Sequence, residues 1–220
     1  MKIVLASGSQ RRRELLTMCG YDYEIIVSNA DETIDENDPE SFVRALSFRK
    51  AKDVFDRLFA AGRRDFAVIG SDTVVAFQKD GETKPVIIGK PKDAKDAVRI
   101  LSMLSGKTHR VFTGVSVIAD IPDENAAAQC SIRKKAEIQT ECSITEVTFE
   151  TLSPDEITDY VNSGDPLDKA GSYGIQGPFG MFVREIRGNY FTVIGMPIPV
   201  LYKMLKKIGI LPHGFYERIE

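Results

Sequence analysis

The run Phe66-Ala67-Val68-Ile69-Gly70-Ser71-Asp72-Thr73-Val74-Val75-Ala76-Phe77 is the feature that most restricts how this chain can fold. Two short, uncharged, β-branched runs enclose Ser71-Asp72-Thr73. Each reads as a buried strand. A carboxylate inside such a stretch must be paired, metal-bound or set at a cleft, because an unpaired buried charge is costly. Asp72 is therefore either the solvated cap of a strand end or a catalytic or metal-holding carboxylate.

The rest of the chain supplies strands and helices around that run. Residues 2–6 read as a first strand, and Ser7-Gly8-Ser9-Gln10 as a tight polar turn. A helix is expected from Arg11 to Gly20, a natural residue just past a helix end. Strand, small-residue loop and helix bring backbone N–H groups and the helix dipole to one point, which favours an anion. Arg11, Arg12 and Arg13 oppose that dipole. A triphosphate at that point would resolve the conflict, since Arg is shaped to grip phosphate oxygens; a solvated basic cluster is the alternative. Three adjacent residues cannot share one helix face, so at most two would reach a ligand.

Residues 23–27 form a second expected strand, and Asp31-Glu32-Thr33 lies in an acidic loop over 31–40. That loop is either simply solvated or brings Glu32 to a metal. Asp38 and Pro39 open a long helix to about Ala61, as N-cap and first helical residue. Lys50 falls on its apolar stripe with Val43, Leu46 and Val54, so its ammonium either snorkels out or enters a cleft. Lys79-Asp80-Gly81 marks a hairpin turn. Strands are expected at 86–89, 108–119 and 141–152, and a helix capped by Asp93 at 94–104. Residues 120–139 read as an elongated connection or insertion. Ser153-Pro154-Asp155-Glu156 is a capping box for a helix ending at Gly164. Residues 165–177 form a Gly-rich loop with an internal acid, base, hydroxyl and amide, a density that suggests function. A last strand pair is expected at 179–186 and 190–194, then a closing helix at 197–208.

The 220 residues suit one domain over 1–212 with a tail at 213–220. A formal charge of -3 shows no global basic surface, so nucleic acid is not the favoured partner. No secretory signal or membrane span is apparent. The three cysteines are odd in number and lack CxxC spacing, which fits a reducing cytoplasm. With only His109 and His213, any metal would be a hard ion held by oxygens, Mg²⁺ or Mn²⁺. The alternation of elements implies an α/β fold, an elongated mixed β-sheet with flanking helices and two lobes around a cleft. Its candidate residues are the acids Glu32 and Asp72, the bases Arg11, Arg12, Lys50, Lys90 and Lys169, and the polar readers Ser9, Thr73 and Gln176. Carboxylates for Mg²⁺ and cations for phosphates are what cleavage of a phosphoanhydride by water requires. No Walker A motif, G-x-S-x-G elbow or Cys–His dyad competes with that reading.

Leu5-Ala6-Ser7-Gly8-Ser9 with Arg11-Arg12, Asp31-Glu32-Thr33, Arg49-Lys50-Ala51, Ser71-Asp72-Thr73-Val74-Val75, Gly89-Lys90-Pro91, Leu104-Ser105-Gly106-Lys107-Thr108-His109 and the Asp168-to-Gly177 loop together resemble the Maf family of nucleotide pyrophosphatases. The resemblance implies a fold similar to inosine triphosphate pyrophosphatases, a divalent cation, and hydrolysis of a nucleoside triphosphate to monophosphate and pyrophosphate. It implies that Asp72 accepts the proton of the attacking water, that Glu32 helps hold the metal, and that Ser9, Arg12, Lys50 and Lys90 engage the phosphates. Arg11, Thr73 and Gln176 match the positions that mark the branch acting on dTTP and UTP rather than on 7-methyl-GTP; modified uridine triphosphates are further candidates. Two departures stand out: Gln10 replaces the family's usual Pro, and 120–139 is longer than the typical connection. Because the family is associated with arrest of septum formation, a nucleotide-binding regulator of cell division is the alternative. A homodimer stays open.

Overall fold

In a computed structural model, which describes residues 1–78, 81–82, 84–121 and 136–214, seven strands form one mixed sheet in the order β2-β1-β3-β5-β6-β7, with β4 also paired to β3. The strands are β1 (Lys2–Leu5), β2 (Tyr23–Ile25), β3 (Phe66–Phe77), β4 (Val86–Ile88), β5 (Thr108–Ala119), β6 (Glu137–Phe149) and β7 (Val183–Arg187). The helices are α1 (Gln10–Met18), α2 (Pro39–Ala60), α3 (Ala94–Leu104), α4 (Pro154–Asn162), α5 (Tyr190–Ile194) and α6 (Ile198–Lys207). The α/β class and the mixed sheet are as the sequence implies. No described helix is long and apolar enough to cross a membrane.

The two apolar runs around Asp72 are halves of one strand. β5 pairs with β3 along one side from Ala67 to Ala76. On the other side β1 runs parallel to Phe66–Ile69, and β4 runs antiparallel to Val75–Phe77. Among the described residues, Gly70 to Val74 therefore have a strand partner on β5's side only. Both β1 and β4 run toward this gap, so their carboxyl ends deliver Ser7-Gly8-Ser9 and Gly89-Lys90 to its two banks. Loops leaving strand carboxyl ends at a break in sheet order are where α/β folds bind ligands.

Alternation along β3 sends even-numbered side chains to one face and odd-numbered ones to the other. The even face is covered by α2. Val4, Ala51, Val54, Phe55, Phe66 and Val68 form one cluster there, and Val43, Val74, Ala76 and Phe112 a second. Each fully buried Val, Leu or Phe contributes roughly 1.5–3 kcal/mol. The helix sits in two notches: a Cβ on Gly70 would lie 2.2 Å from the Ser47 carbonyl oxygen, and one on Gly114 2.2 Å from that of Val43. On the odd face, Ala67, Ile69, Val115 and Val117 pack under α1 and α6, while Val75, Phe77, Val111 and Val147 pack under α3 and α4. Between these clusters Thr73, Thr113 and Ser143 stand in register across three strands.

Helix starts follow their caps. Asp38, Asp93 and Ser153 accept the N–H groups of Ser41, Asp96 and Glu156, and Glu156 completes the expected box. Three expectations are corrected. The strand expected at 141–152 begins earlier and ends at Phe149, because β6 pairs with β5 along its whole length. Only Val183–Arg187 of the expected last pair is a strand, and Pro178–Phe182 is a 3-10 helix. Residues 190–194 are the helix α5, since Asn189 accepts the Phe191 N–H and Gly195 closes it at φ +111°. The turn expected at Lys79-Asp80, residues 122–135 of the long connection with Cys130, and residues 215–220 lie outside the described residues.

Candidate active site at the gap in the sheet

Asp72 is on the α2 face of β3, and Lys50 comes down from α2 to meet it. Lys50 Nζ lies 2.8 Å from Asp72 Oδ1 and 2.8 Å from Glu32 Oε1. The Lys50 and Asp72 side chains are each 12% exposed and Glu32 is 66% exposed, so the triad runs from the sheet to solvent. The Lys50 ammonium therefore points into the cleft rather than snorkelling. Arg49 places Glu32: its Nη1 donates to the carbonyls of Asp31 and Thr33 on either side, at 2.8 Å each. Partial burial pushes the Glu32 carboxyl up, but Lys50 first, then Lys90 and Arg12, more than offset it and hold the group below its ordinary value. Lys90 itself is exposed just beyond β4.

On the opposite face the three arginines of α1 diverge. Arg12 turns inward. Its Nε donates to the Gly195 carbonyl at 2.8 Å, Nη1 to Ser7 Oγ at 3.1 Å and Nη2 to Thr73 Oγ1 at 3.3 Å. Burial lowers the Arg12 pKa, and the Asp72 charge works against that. A guanidinium has five N–H donors, so these three bonds leave two for a ligand. Arg11 reaches Asp168 at 3.4 Å. Ser9 is the N-cap of α1, and its own side chain makes no capping bond. Thr73 also meets Thr113 Oγ1 at 3.0 Å, and Thr113 donates to the Thr192 carbonyl at 2.7 Å. Ser71 Oγ lies 3.0 Å from the Gly195 carbonyl oxygen. These hydroxyls fasten α5 over the middle of the sheet.

The loop with Gln176 is tied down at several points. The Gly171 N–H donates to the Gly89 carbonyl at 3.0 Å, joining the loop to the bank that carries Lys90. His109 Nε2 and Tyr173 Oη are 3.0 Å apart inside an aromatic cluster with Phe149. Burial pushes the His109 pKa down to about 3, which keeps the ring neutral. Lys169 holds Asp165 and Asp168. Gln176 itself is exposed.

The structure thus joins Glu32, Lys50 and Asp72 directly, and joins Arg12 to Thr73. It brings Lys90 within electrostatic reach of Glu32, and links Arg11 to Lys169 through Asp168. It shows no bond between Gln176 and Arg11 or Thr73. Sequence reasoning assigned no role to Arg49, Ser7, Thr113 or Gly195. Arg49 had a signal, since it precedes Lys50 within a quoted motif; Gly195 had none, being 183 positions from Arg12.

Among the described residues, no group of three or more His, Cys, Asp and Glu side chains is arranged to hold a metal. Glu32 and Asp72 do converge on one point, marked by Lys50 Nζ. Two carboxylates suit Mg²⁺, which completes its shell with water and substrate phosphates. A cavity of about 580 Å³ at the opposite end of β1, lined by Met1, Tyr21, Tyr23 and Ile210 among others, contains none of the candidate residues.

The sequence matches the Maf-like protein family over residues 2–208, and the chain belongs to that family. A dTTP/UTP pyrophosphatase of Agathobacter rectalis is 40% identical over 217 residues, spanning 95% of this chain and 98% of its own. A dTTP/UTP pyrophosphatase of Bacillus thuringiensis subsp. konkukian is 43% identical over 210 residues, spanning 95% and 96%. The Staphylococcus aureus Ham1 protein overlaps 94% of this chain and 99% of its own at 16% identity with a TM-score of 0.48, too loose a likeness to bear on fold or function.

Proposed function

We propose that this chain is a nucleoside triphosphate pyrophosphatase that hydrolyses dTTP and UTP to the monophosphate and pyrophosphate. The observation that carries this reading is the meeting of Asp72, Lys50 and Glu32 at the gap in β3, where the Ser7–Ser9 loop and Lys90 arrive from either bank. The names of the relatives support the same substrate class.

In this reading the triphosphate lies across the gap. Ser9 and Arg12 hold it from the α1 side, and Lys50 and Lys90 from the other. Asp72 accepts the proton of the attacking water, a role that needs a carboxylate held within hydrogen-bonding reach of that water. Glu32 and Asp72 would hold a divalent cation, which supplies Lewis-acid polarisation and charge neutralisation at the phosphates. Arg11, Thr73 and Gln176 read the base. A Gln amide can both donate to and accept from the imide edge of uracil or thymine.

A panel of nucleotides with purified protein and Mg²⁺ tests this directly. Fast release of pyrophosphate from dTTP and UTP is expected, with slow release from CTP, ATP and 7-methyl-GTP and none in excess EDTA. Equal rates on UTP and CTP would overturn the pyrimidine pocket. Full activity in chelator would overturn the metal. Nucleotide binding without cleavage would favour the regulator.

A further inference from the structure

A second hydrogen-bonded chain lies beside the gap and takes no part in the phosphate chemistry above. Tyr160, on α4, donates its hydroxyl proton to Asp165 Oδ2 at 2.5 Å and accepts the Gly174 N–H at 3.1 Å. Burial first, and Asp165 second, raise the Tyr160 pKa, so the hydroxyl stays protonated and the direction of both bonds is set. Asp165 Oδ1 holds Lys169 Nζ at 3.0 Å, and the same ammonium donates to Asp168 Oδ1 at 2.7 Å. Asp168 Oδ2 in turn faces Arg11 Nη1 at 3.4 Å. The series runs unbroken from the backbone of Gly174, two residues before Gln176, to the first turn of α1.

Two details show that this chain locates the loop and does more than fill space. Lys169 lies over Gly174 so closely that a Cβ there would be 2.6 Å from Lys169 Cε. The Tyr160 ring packs on Phe179 at 4.8 Å between centroids, contacts that a phenylalanine would keep. What the hydroxyl adds is the link between loop backbone and ion chain.

Uracil and cytosine have the same size and opposite hydrogen-bonding polarity at position 4 and N3. A Gln amide free to rotate would suit either, so rejection of cytosine requires that the loop hold Gln176 in one pose. A site built on fixed hydrogen bonds rejects a mismatched ligand strongly. We propose that Tyr160 is a positioning residue for base selection, its hydroxyl tying the Gln176 loop to the ion chain that ends at Arg11. This inference rests on the dTTP/UTP reading, which places Gln176 and Arg11 at the base.

The test uses the full chain with Tyr160→Phe, Asp168→Asn and the double variant. Steady-state kinetics on UTP and CTP are combined with thermal midpoints taken without nucleotide. Tyr160→Phe should cut the UTP-over-CTP preference about fivefold, the weight of one ordinary hydrogen bond. The change should appear in KM for UTP rather than in kcat. Asp168→Asn should act in the same direction and less strongly, because its ion pairs are solvent-exposed. The double variant should fall little further than Tyr160→Phe, as members of one network do not add. The Asp168 side chain is 67% exposed, so that variant carries the test alone if Tyr160→Phe melts too early. An unchanged preference, equal losses on both nucleotides, or fully additive losses would each overturn the proposal. Failure of the dTTP/UTP reading would show in the wild type, as no preference to lose; failure of this inference shows only in the variants.

Discussion

Among the described residues, one face of the sheet is covered by a single helix, and the other by two groups of helices that leave a strip between them. On the α2 face, glycines at positions 70 and 114 let backbone approach backbone, and apolar residues continue on either side. Two polar features interrupt them: Asp72, met by a lysine from the same covering helix, and the buried hydroxyls of Ser47 and Ser116, bonded to each other and on to Thr140. On the other face the strip is a row of hydroxyls: Thr73 meets Thr113, and Thr113 and Ser143 each bond to Thr192 of α5. The first arrangement keeps one charge close to a core and pairs it. The second keeps a polar band neutral and satisfied, with one guanidinium at its edge. β3 thus offers a lysine-paired carboxylate on one face and a neutral hydroxyl platform on the other, from the adjacent residues Asp72 and Thr73.

The largest effect expected from breaking this contrast is at Gly70. Gly70→Ala puts a Cβ against the Ser47 carbonyl, a backbone atom with little room to give. We expect a loss of about 3 kcal/mol or more, read from the denaturant midpoint. Gly174→Ala meets side-chain atoms of Lys169 and Asp165 rather than backbone, and should cost less. Equal midpoints for the two variants would mean that α2 is not seated by its notches.

Lys50→Met probes the paired charge. It leaves Asp72 without its ammonium, and removal of one partner of a nearly buried pair costs about 3 kcal/mol where solvent is excluded and less at an open gap. The midpoint should therefore fall by less than in Gly70→Ala, while pyrophosphate release is lost. Retained turnover in this variant would remove Lys50 from the site.

His109 tests the split face through pH. Its pKa of about 3 lies far below the model-peptide value of 6.5. Between those values the unfolded chain binds a proton that the fold refuses. Stability is therefore lost as pH falls from about 6.5 toward about 3, by up to ~1.4 kcal/mol per unit. His109→Phe removes that loss, so its stability should vary less steeply over the same range. An unaltered slope would show that other groups govern acid sensitivity. The smallest effect belongs to Thr113→Val, which keeps the shape and removes the bond to Thr192. A cost of about 1 kcal/mol is expected, with faster amide exchange confined to α5; a cost spread over the whole sheet would mean that the row serves packing alone.

The sequence made the scaffold readable where local chemistry decides structure. The caps at Asp38, Asp93 and Ser153 mark true helix starts, and alternation marks β5 from end to end. It misled at 190–194, where Tyr, Phe, Thr, Val and Ile read as a strand. Distant hydroxyls hold that segment as a helix: Thr113 and Ser143 at Thr192, and Thr145 at Asn189. The continuity of β3 was hidden because Gly70 and the polar triplet look like a break, whereas Gly70 is a seat for α2. Of the candidate site, Lys50 on an apolar stripe gave a local hint of an inward ammonium. The contacts of Arg12 with Thr73 and Gly195 reach two remote segments, and no local pattern could announce them.

The product analysis of UTP hydrolysis by wild type and Asp72→Asn tests the central claim most directly. The gap in β3, with Asp72 as base, predicts UMP and pyrophosphate in equal amounts from wild type. It also predicts a rate lower by about 100-fold or more in Asp72→Asn, the usual weight of a general base, from a variant that still folds and binds nucleotide. UDP and phosphate as products, or near-full activity in Asp72→Asn, would contradict it.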